Sequence, residues 1–151
     1  MIMQLTRNME DYLETIYALS KEKGDVRVKD IAHNLGIKSA SVSEMLRKLD
    51  KCRYVACEKY GDIALTSKGE LVGKTVMVRH ETIKAFLKII FVPEDVADRS
   101  ACTIEHNLEV ETIEQLTKFV KFVGAYSMHP KWLEHFEVYC RTGNIPKCKY
   151  E

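Results

Sequence analysis

The chain has 151 residues, of which 46% are hydrophobic, so it is long and apolar enough to bury a core. Its 23 basic and 22 acidic side chains nearly cancel, so the overall charge neither favours nor excludes a nucleic-acid partner. No apolar stretch approaches the roughly 20 residues that cross a bilayer, and the N-terminus lacks a signal-peptide pattern. We therefore expect a cytoplasmic protein without a membrane partner.

The beginning of the chain predicts a helix-turn-helix. Apolar residues at helical spacing predict a first helix over residues 9–19 and a second over residues 28–35, which ends at Gly36. A third helix follows the turn, with Ser39 or Ser41 as its N-cap, because a serine oxygen can accept from the open amides of the first turn. Two short helices joined by a glycine-containing turn are typical of DNA-binding proteins.

A hairpin and a long helix follow. Residues 54–59 and 63–66 are predicted to form two strands, and residues 60–62 between them, including Gly61, suit a turn. This hairpin corresponds to the wing of a winged helix-turn-helix. A long helix then starts in the stretch Thr66–Glu70, which offers an oxygen-bearing cap and an acid three or four residues further on, and runs to about Ile90.

The second half of the chain predicts only helices. One begins at Pro93, a further segment follows Arg99, another amphipathic helix covers residues 110–123, and the tail contains a short one. The predicted fold class is therefore mainly α. A winged helix-turn-helix domain is predicted over residues 1–73, and an all-helical dimerisation and metal-binding domain, with a C-terminal tail, over residues 74–151.

The third helix and the wing concentrate positive charge. Residues 38–59 hold six basic and three acidic side chains, a local net charge of +3. Short serine hydroxyls at the start of the helix can reach phosphates or base edges, and longer basic side chains follow one turn later. Glu44 repels phosphate unless it accepts from a cytosine amino group or turns aside. The predicted DNA-binding residues are Lys38, Ser39, Ser41, Ser43, Glu44, Arg47, Lys48 and Lys59.

Six side chains on three predicted helices suggest a metal centre. Three of them stand at i, i+3 and i+4 and would share one helix face, one is a histidine on the long helix, and two are an acid pair on the first helix. Taken alone, a histidine on an apolar stripe is more often a core residue than a ligand, and an acid pair on a helix is more often an ordinary part of the surface. Together, carboxylates, imidazoles and a thiolate suit a divalent transition metal. The predicted ligands are Asp11, Glu14, His80, Cys102, Glu105 and His106.

The cysteines favour reduced thiols, since five is an odd number and their spacing has no disulfide-scaffold rhythm. Cys140 and Cys148, with His129 and His135 upstream, could form a zinc site, but their spacing fits no standard ligand pattern. The role of this tail stays open.

Five motifs stand in order along the chain: Met9-Glu10-Asp11-Tyr12-Leu13-Glu14-Thr15-Ile16-Tyr17, Ser41-Val42-Ser43, Leu65-Thr66-Ser67-Lys68-Gly69, Arg79-His80 and Ile104-Glu105-His106. In these motifs the chain resembles the diphtheria toxin repressor family over about residues 7–123, in its two-domain form and most nearly in the manganese transport regulator branch. The resemblance implies an iron- or manganese-activated, homodimeric repressor of metal-uptake genes. It implies double-stranded operator DNA as the partner, and neither an enzyme nor a small organic substrate.

The resemblance also implies a ligand set. Cys102 stands where the manganese branch has a glutamate and the iron branch a cysteine, whereas the iron branch has a methionine at the position of Asp11. Lys84 replaces a glutamate of the iron branch's second metal site. The implied cofactor is Fe²⁺ or Mn²⁺, with Co²⁺, Ni²⁺ or Zn²⁺ as substitutes. The positions that match the manganese branch are Asp11, Glu14, His80, Glu105 and His106.

The residues also allow two other functions. A winged-helix regulator that senses a non-metal ligand would use the acids and histidines only for structure, and it would bind its operator without metal. An enzyme could use Cys102 as nucleophile and His106 as base, or Glu105 and His106 in a metallohydrolase. The chain has no separate oxyanion motif and no His-Glu-x-x-His pattern, so we do not expect an enzyme.

Overall fold

The computed structural model describes residues 5–57, 62–126 and 130–147. Within these residues the chain forms seven helices and one two-stranded antiparallel sheet, which confirms the mainly α fold with a winged helix-turn-helix at its start. The chain divides into two compact units, Met1–Arg79 and His80–Glu151. None of the helices in the described ranges has the length and apolar character needed to cross a bilayer.

Three helices open the first unit: α1 (Arg7–Lys23), α2 (Val28–Leu35) and α3 (Ser39–Lys51). Gly36 ends α2 with a left-handed φ of 65°, as its place after the apolar stripe predicts. The predicted serine cap of α3 is wrong. Lys38 is the N-cap without a side-chain bond, and its carbonyl already accepts from the Ser41 amide at 3.0 Å, so the helix has begun before Ser41.

The wing consists of β1 (Val55–Cys57) and β2 (Ile63–Leu65), paired so that Val55 faces Leu65 and Cys57 faces Ile63. The predicted turn at residues 60 and 61, and the predicted end of the first strand at residues 58 and 59, lie outside the described residues.

Helix α4 (Ser67–Ile89) starts where the sequence predicts, behind Thr66. The Thr66 hydroxyl donates to the Arg53 carbonyl at 2.7 Å and accepts from the Gly69 amide at 3.1 Å. The same oxygen therefore caps α4 and joins the start of that helix to the end of the helix-turn-helix.

The core of the first unit fixes which face of α3 is exposed. Val42, Leu46 and Leu49 are buried against side chains of α1, among them Leu13 and Ile16, which have no exposed surface. Each fully buried aliphatic side chain of this size contributes about 1.5–3 kcal/mol. The polar side of α3 must therefore face solvent.

The second unit contains the end of α4 with α5 (Glu94–Ile104), α6 (Val110–Gly124) and α7 (Lys131–Thr142). The predicted break after Arg99 is wrong, because α5 is continuous through it. Asp95 and Arg99 pair at 3.0 Å across one turn, and Ala97 and Ala101 are fully buried. The exposed face and the buried face of the helix therefore both run past Arg99. Ile83 of α4 packs with Ala101 and with Ile113 of α6 in the core of this unit.

Aromatic contacts join α7 to the rest of the second unit. Phe119 of α6 lies 5.8 Å from Phe86 and 6.1 Å from Trp132, measured between ring centroids, and Phe91 stacks on Phe136 at 5.9 Å. The short helix predicted in the tail is therefore α7, and its apolar side belongs to the fold of this unit.

A close approach within the first unit depends on a glycine of α4. A Cβ on Gly73 would overlap the Leu13 carbonyl oxygen and lie 2.8 Å from the Tyr17 Cβ, so α4 and α1 meet here backbone to backbone. We expect Gly73→Ala to lower the free energy of unfolding by about 1–3 kcal/mol, as overpacking does. Urea denaturation followed by circular dichroism measures the change.

Gly124→Ala is the control for this substitution. Gly124 also lies in a helix, α6, but no heavy atom of the described residues is within 4 Å of its Cβ position. Alanine there should leave stability unchanged or raise it by up to about 1 kcal/mol. Equal free energies of unfolding for the two variants would contradict the expectation that the close approach of α1 and α4 at Gly73 has no room for a Cβ.

Candidate metal centre and nucleic-acid interface

Three predicted ligands of the second unit lie together. His80 is on α4, Glu105 is the C-cap of α5, and His106 follows it in the next turn. The His80 Nδ1 lies 2.9 Å from the Glu105 Oε2, and the His106 Nε2 lies 3.2 Å from the Glu105 Oε1. The Glu105 side chain has no exposed surface, and the two imidazoles are 15% and 4% exposed. One buried carboxylate thus lies between two imidazoles.

The Glu105 carboxylate is incompletely satisfied. Its Oε1 is buried and forms no hydrogen bond within the described part of the chain, since the His106 nitrogen is near it but not in hydrogen-bonding geometry. A buried carboxylate costs several kcal/mol unless an opposite charge and hydrogen bonds compensate. A divalent cation among these oxygen and nitrogen donors supplies that compensation, and this donor set suits Mn²⁺ or Fe²⁺. The residues present therefore fit a metal.

The other predicted ligands have different surroundings. Cys102 is on α5 and exposed, one turn before the buried Glu105. The expectation that Cys102, Glu105 and His106 share one helix face is wrong, because α5 ends at Ile104: Cys102 lies within the helix, Glu105 is its C-cap and His106 lies in the turn that follows. Asp11 and Glu14 belong to the first unit, where both are partly exposed on α1.

A residue that the sequence pattern did not single out also contacts His80. The His80 Nε2 lies 3.2 Å from the Asp98 Oδ1, and the Lys84 ammonium lies 2.8 Å from the same oxygen. Lys84 and, less strongly, His80 hold the pKa of Asp98 below its usual range, and Asp98 raises the pKa of Lys84. The only hint in the sequence is that Asp98 precedes Cys102 by one helical turn.

The polar face of α3 carries the predicted DNA-binding residues. Ser43 is partly buried, and Lys59 lies outside the described residues. The exposed members are Lys38, Ser39, Ser41, Glu44, Arg47 and Lys48.

Glu44 turns aside on this face. Its Oε1 pairs with the Lys48 ammonium at 3.0 Å, which lowers the pKa of Glu44, and the pair is exposed. Arg47 Nε donates to the Ser43 carbonyl at 3.3 Å, and Ser43 Oγ donates to the Ser39 carbonyl at 3.0 Å. Exposed bonds of this kind stabilise little and exchange readily. The serine and basic side chains can therefore turn to a phosphate backbone without loss of the fold.

Two family models match successive parts of the chain. The model for the iron dependent repressor N-terminal DNA binding domain matches residues 4–63, and the model for the iron dependent repressor metal binding and dimerisation domain matches residues 66–129. The first model covers the helix-turn-helix and most of the wing. The second covers α4 to α6, including His80, Glu105 and His106.

Whole relatives agree with these models. The HTH-type transcriptional regulators MntR of Bacillus subtilis (strain 168) and of Bacillus pumilus (strain SAFR-032) are each 44% identical over 117 residues. That match covers 78% of this chain and 82% and 81% of theirs.

Solved structures agree as well. The manganese regulator SloR (31% identity) and T. acidophilum IdeR (27% identity) each superpose with a TM-score of 0.68 over 78% of this chain. This chain spans about half the length, 55%, of those two chains. The resemblance read from the sequence motifs is confirmed: the chain belongs to the iron-dependent repressor family, that of the diphtheria toxin repressor, whose members are metal-responsive DNA-binding regulators and not enzymes.

Proposed function

We propose that the protein is a homodimeric repressor of metal-uptake genes that binds operator DNA when Fe²⁺ or Mn²⁺ is bound at its metal centre. The observation that carries the proposal is the buried Glu105 carboxylate, which lies between His80 and His106 with one oxygen unsatisfied. Chromosomal operator DNA as the partner implies a cytoplasmic location.

The proposed ligands are Asp11, Glu14, His80, Cys102, Glu105 and His106. His80 and His106 offer ring nitrogens, Glu105 offers its unsatisfied oxygen, and Cys102 can turn its thiolate from an exposed position. Asp11 and Glu14 are proposed because they stand three residues apart on one side of α1, with the spacing of a carboxylate pair. Thiolate favours softer metals and carboxylate favours Mn²⁺ or Fe²⁺, so the set suits both of these ions.

The regulatory step concerns the first unit. Ligands on α1 would let metal binding restrain the unit that carries α3, and a dimer must present two such helices to half-sites about 34 Å apart. Metal then favours a binding-competent arrangement that already exists, without touching DNA. The side chains that would meet DNA are the exposed serine and basic residues of α3, together with Lys59 of the wing.

The test compares DNA affinity with and without metal. A duplex selected from a random-sequence pool in the presence of Mn²⁺ is titrated anaerobically and followed by fluorescence anisotropy. We expect Mn²⁺ or Fe²⁺ to raise affinity by about 5- to 150-fold, the usual range of allosteric coupling, and the duplex to raise Mn²⁺ affinity by the same factor. Equal DNA affinity with and without metal would support the regulator of a non-metal ligand instead.

Two variants separate the metal centre from the DNA face. His106→Ala should lose the metal-dependent gain in DNA affinity and keep a folded dimer.

Arg47→Ala should bind Mn²⁺ normally without DNA, yet bind every duplex more weakly. The slope of log affinity against log salt concentration should fall by about 1 if Arg47 contacts a phosphate. An unchanged salt slope would remove Arg47 from the interface.

Glu105→Gln tests the central carboxylate, because it keeps the shape of the side chain and removes its charge. We expect the affinity for Mn²⁺, measured by titration calorimetry, to fall by more than the roughly 10- to 100-fold that loss of an outer partner costs. The free energy of unfolding without metal should be equal or higher, since a poorly satisfied buried charge is gone. A stability loss with unchanged Mn²⁺ affinity would assign Glu105 a structural role.

Cys102→Ser tests the thiolate. With Co²⁺ bound, the wild-type protein should show a thiolate-to-metal charge-transfer absorption in the near ultraviolet, and Cys102→Ser should lack it. Cys140→Ser is the control, because Cys140 is also an exposed cysteine on a helix, α7, and should leave the band unchanged. A band that persists in Cys102→Ser would remove Cys102 from the ligand set.

A further inference from the structure

Asp98 is in contact with the metal centre without belonging to the proposed ligand set. Its Oδ1 lies 3.2 Å from the Nε2 of His80, while the Nδ1 on the other side of that ring lies 2.9 Å from the Glu105 Oε2. The two nitrogens of one imidazole thus face two different carboxylates. One of these is the buried Glu105, and the other, Asp98, is half-exposed.

Lys84 holds Asp98 in this position. The Lys84 ammonium lies 2.8 Å from the Asp98 Oδ1, the same oxygen that faces His80, and its side chain is only 21% exposed. Lys84 follows His80 by one turn of α4, so both donors reach across to α5 from the same side of one helix. The ammonium can only donate, and it therefore keeps the Asp98 oxygen as an acceptor.

The Asp98 oxygen beside Nε2 determines which nitrogen of His80 can bind a metal. A carboxylate cannot donate, so each contact needs a hydrogen on the ring nitrogen that makes it: on Nε2 towards Asp98 and on Nδ1 towards Glu105. A metal would replace only one of these hydrogens. Because Lys84 keeps the Asp98 Oδ1 as an acceptor for the Nε2 hydrogen, Nδ1, on the side of the incompletely satisfied Glu105 carboxylate, is the nitrogen that would bind the metal. Outer carboxylates commonly orient metal-binding histidines in this way and raise their basicity.

We propose that Asp98, anchored by Lys84, is a positioning residue of the metal centre that fixes the His80 ring with Nε2 protonated and Nδ1 directed towards Glu105 and the metal. The inference rests on the proposed function and adds two residues to its machinery. Asp98 is not itself a ligand, because the Lys84 ammonium on its Oδ1 repels a dication and occupies that oxygen.

Titration calorimetry with Mn²⁺ on the full-length protein tests the role of Asp98. We expect Asp98→Ala to weaken Mn²⁺ binding by about 10- to 100-fold with unchanged stoichiometry, and Asp98→Asn, which keeps an accepting oxygen, to weaken it less. Lys84→Met should also weaken binding, since Asp98 loses its anchor. Asp95→Ala is the matched control, because Asp95 is an exposed acid of the same helix whose ion pair in the described part of the chain is with Arg99 of α5, and this variant should bind Mn²⁺ as the wild type does.

A second measurement reports the ring itself. Long-range ¹H–¹⁵N correlation spectra of histidine-labelled protein loaded with diamagnetic Zn²⁺ distinguish the two tautomers. Wild-type His80 should show a protonated Nε2 and a metal-bound Nδ1, and Asp98→Ala should shift or mix these signals while circular dichroism shows the fold unchanged. A merely structural ion pair would not alter the ring tautomer.

The outcomes separate the two proposals. If wild type and His106→Ala bind Mn²⁺ equally, or neither binds, the proposed function itself fails. If wild type binds and Asp98→Ala behaves as Asp95→Ala does in both measurements, the positioning role is overturned. If Lys84→Met binds more tightly, or takes up an additional Mn²⁺, Asp98 is a ligand and the role assigned here is also wrong.

Discussion

The burial of the Glu105 carboxylate is the constraint on which the second unit depends. Removing a carboxylate from water costs several kcal/mol, and within the described ranges the Glu105 Oε1 has no hydrogen-bond partner. Glu105 is the C-cap of α5 and fully buried, and His80 of α4 lies against its carboxylate. A site whose buried negative charge is incompletely compensated without a cation is suited to sensing one. Binding of the cation would stabilise the same carboxylate that destabilises the metal-free fold.

The first unit is built on packing instead of charge. Leu13 and Ile16 of α1 are fully buried, and Gly73 allows α4 to approach α1 at backbone distance. Thr66 joins the start of α4 to the chain that follows the helix-turn-helix. A closely packed frame of this kind holds α3 with its polar face outward, so the side chains on that face can turn to a phosphate backbone without repacking of the unit.

The sequence predicted most elements because their ends carry local signals. Gly36 and Thr66 each act through their own backbone or side chain, and the structure confirms both. The break expected after Arg99 was wrong because burial of Ala97 and Ala101, a tertiary effect, continues the helix. His80 and Glu105 could be proposed as neighbours by resemblance. Asp98 could not, since its contact with His80 joins two helices and no sequence spacing encodes it.

Charge balance explains why the proposed ligand set extends beyond the second unit. Lys84 neutralises Asp98, so of the two carboxylates Asp98 and Glu105 it is Glu105 that offers an uncompensated negative charge to a dication. One carboxylate and two neutral imidazoles leave a net positive centre, which is costly at a buried position. The Cys102 thiolate would neutralise it, and carboxylates from α1 would do so with harder donors. Affinity then depends on groups outside the buried core, and a centre with this dependence can link metal binding to the unit that binds DNA.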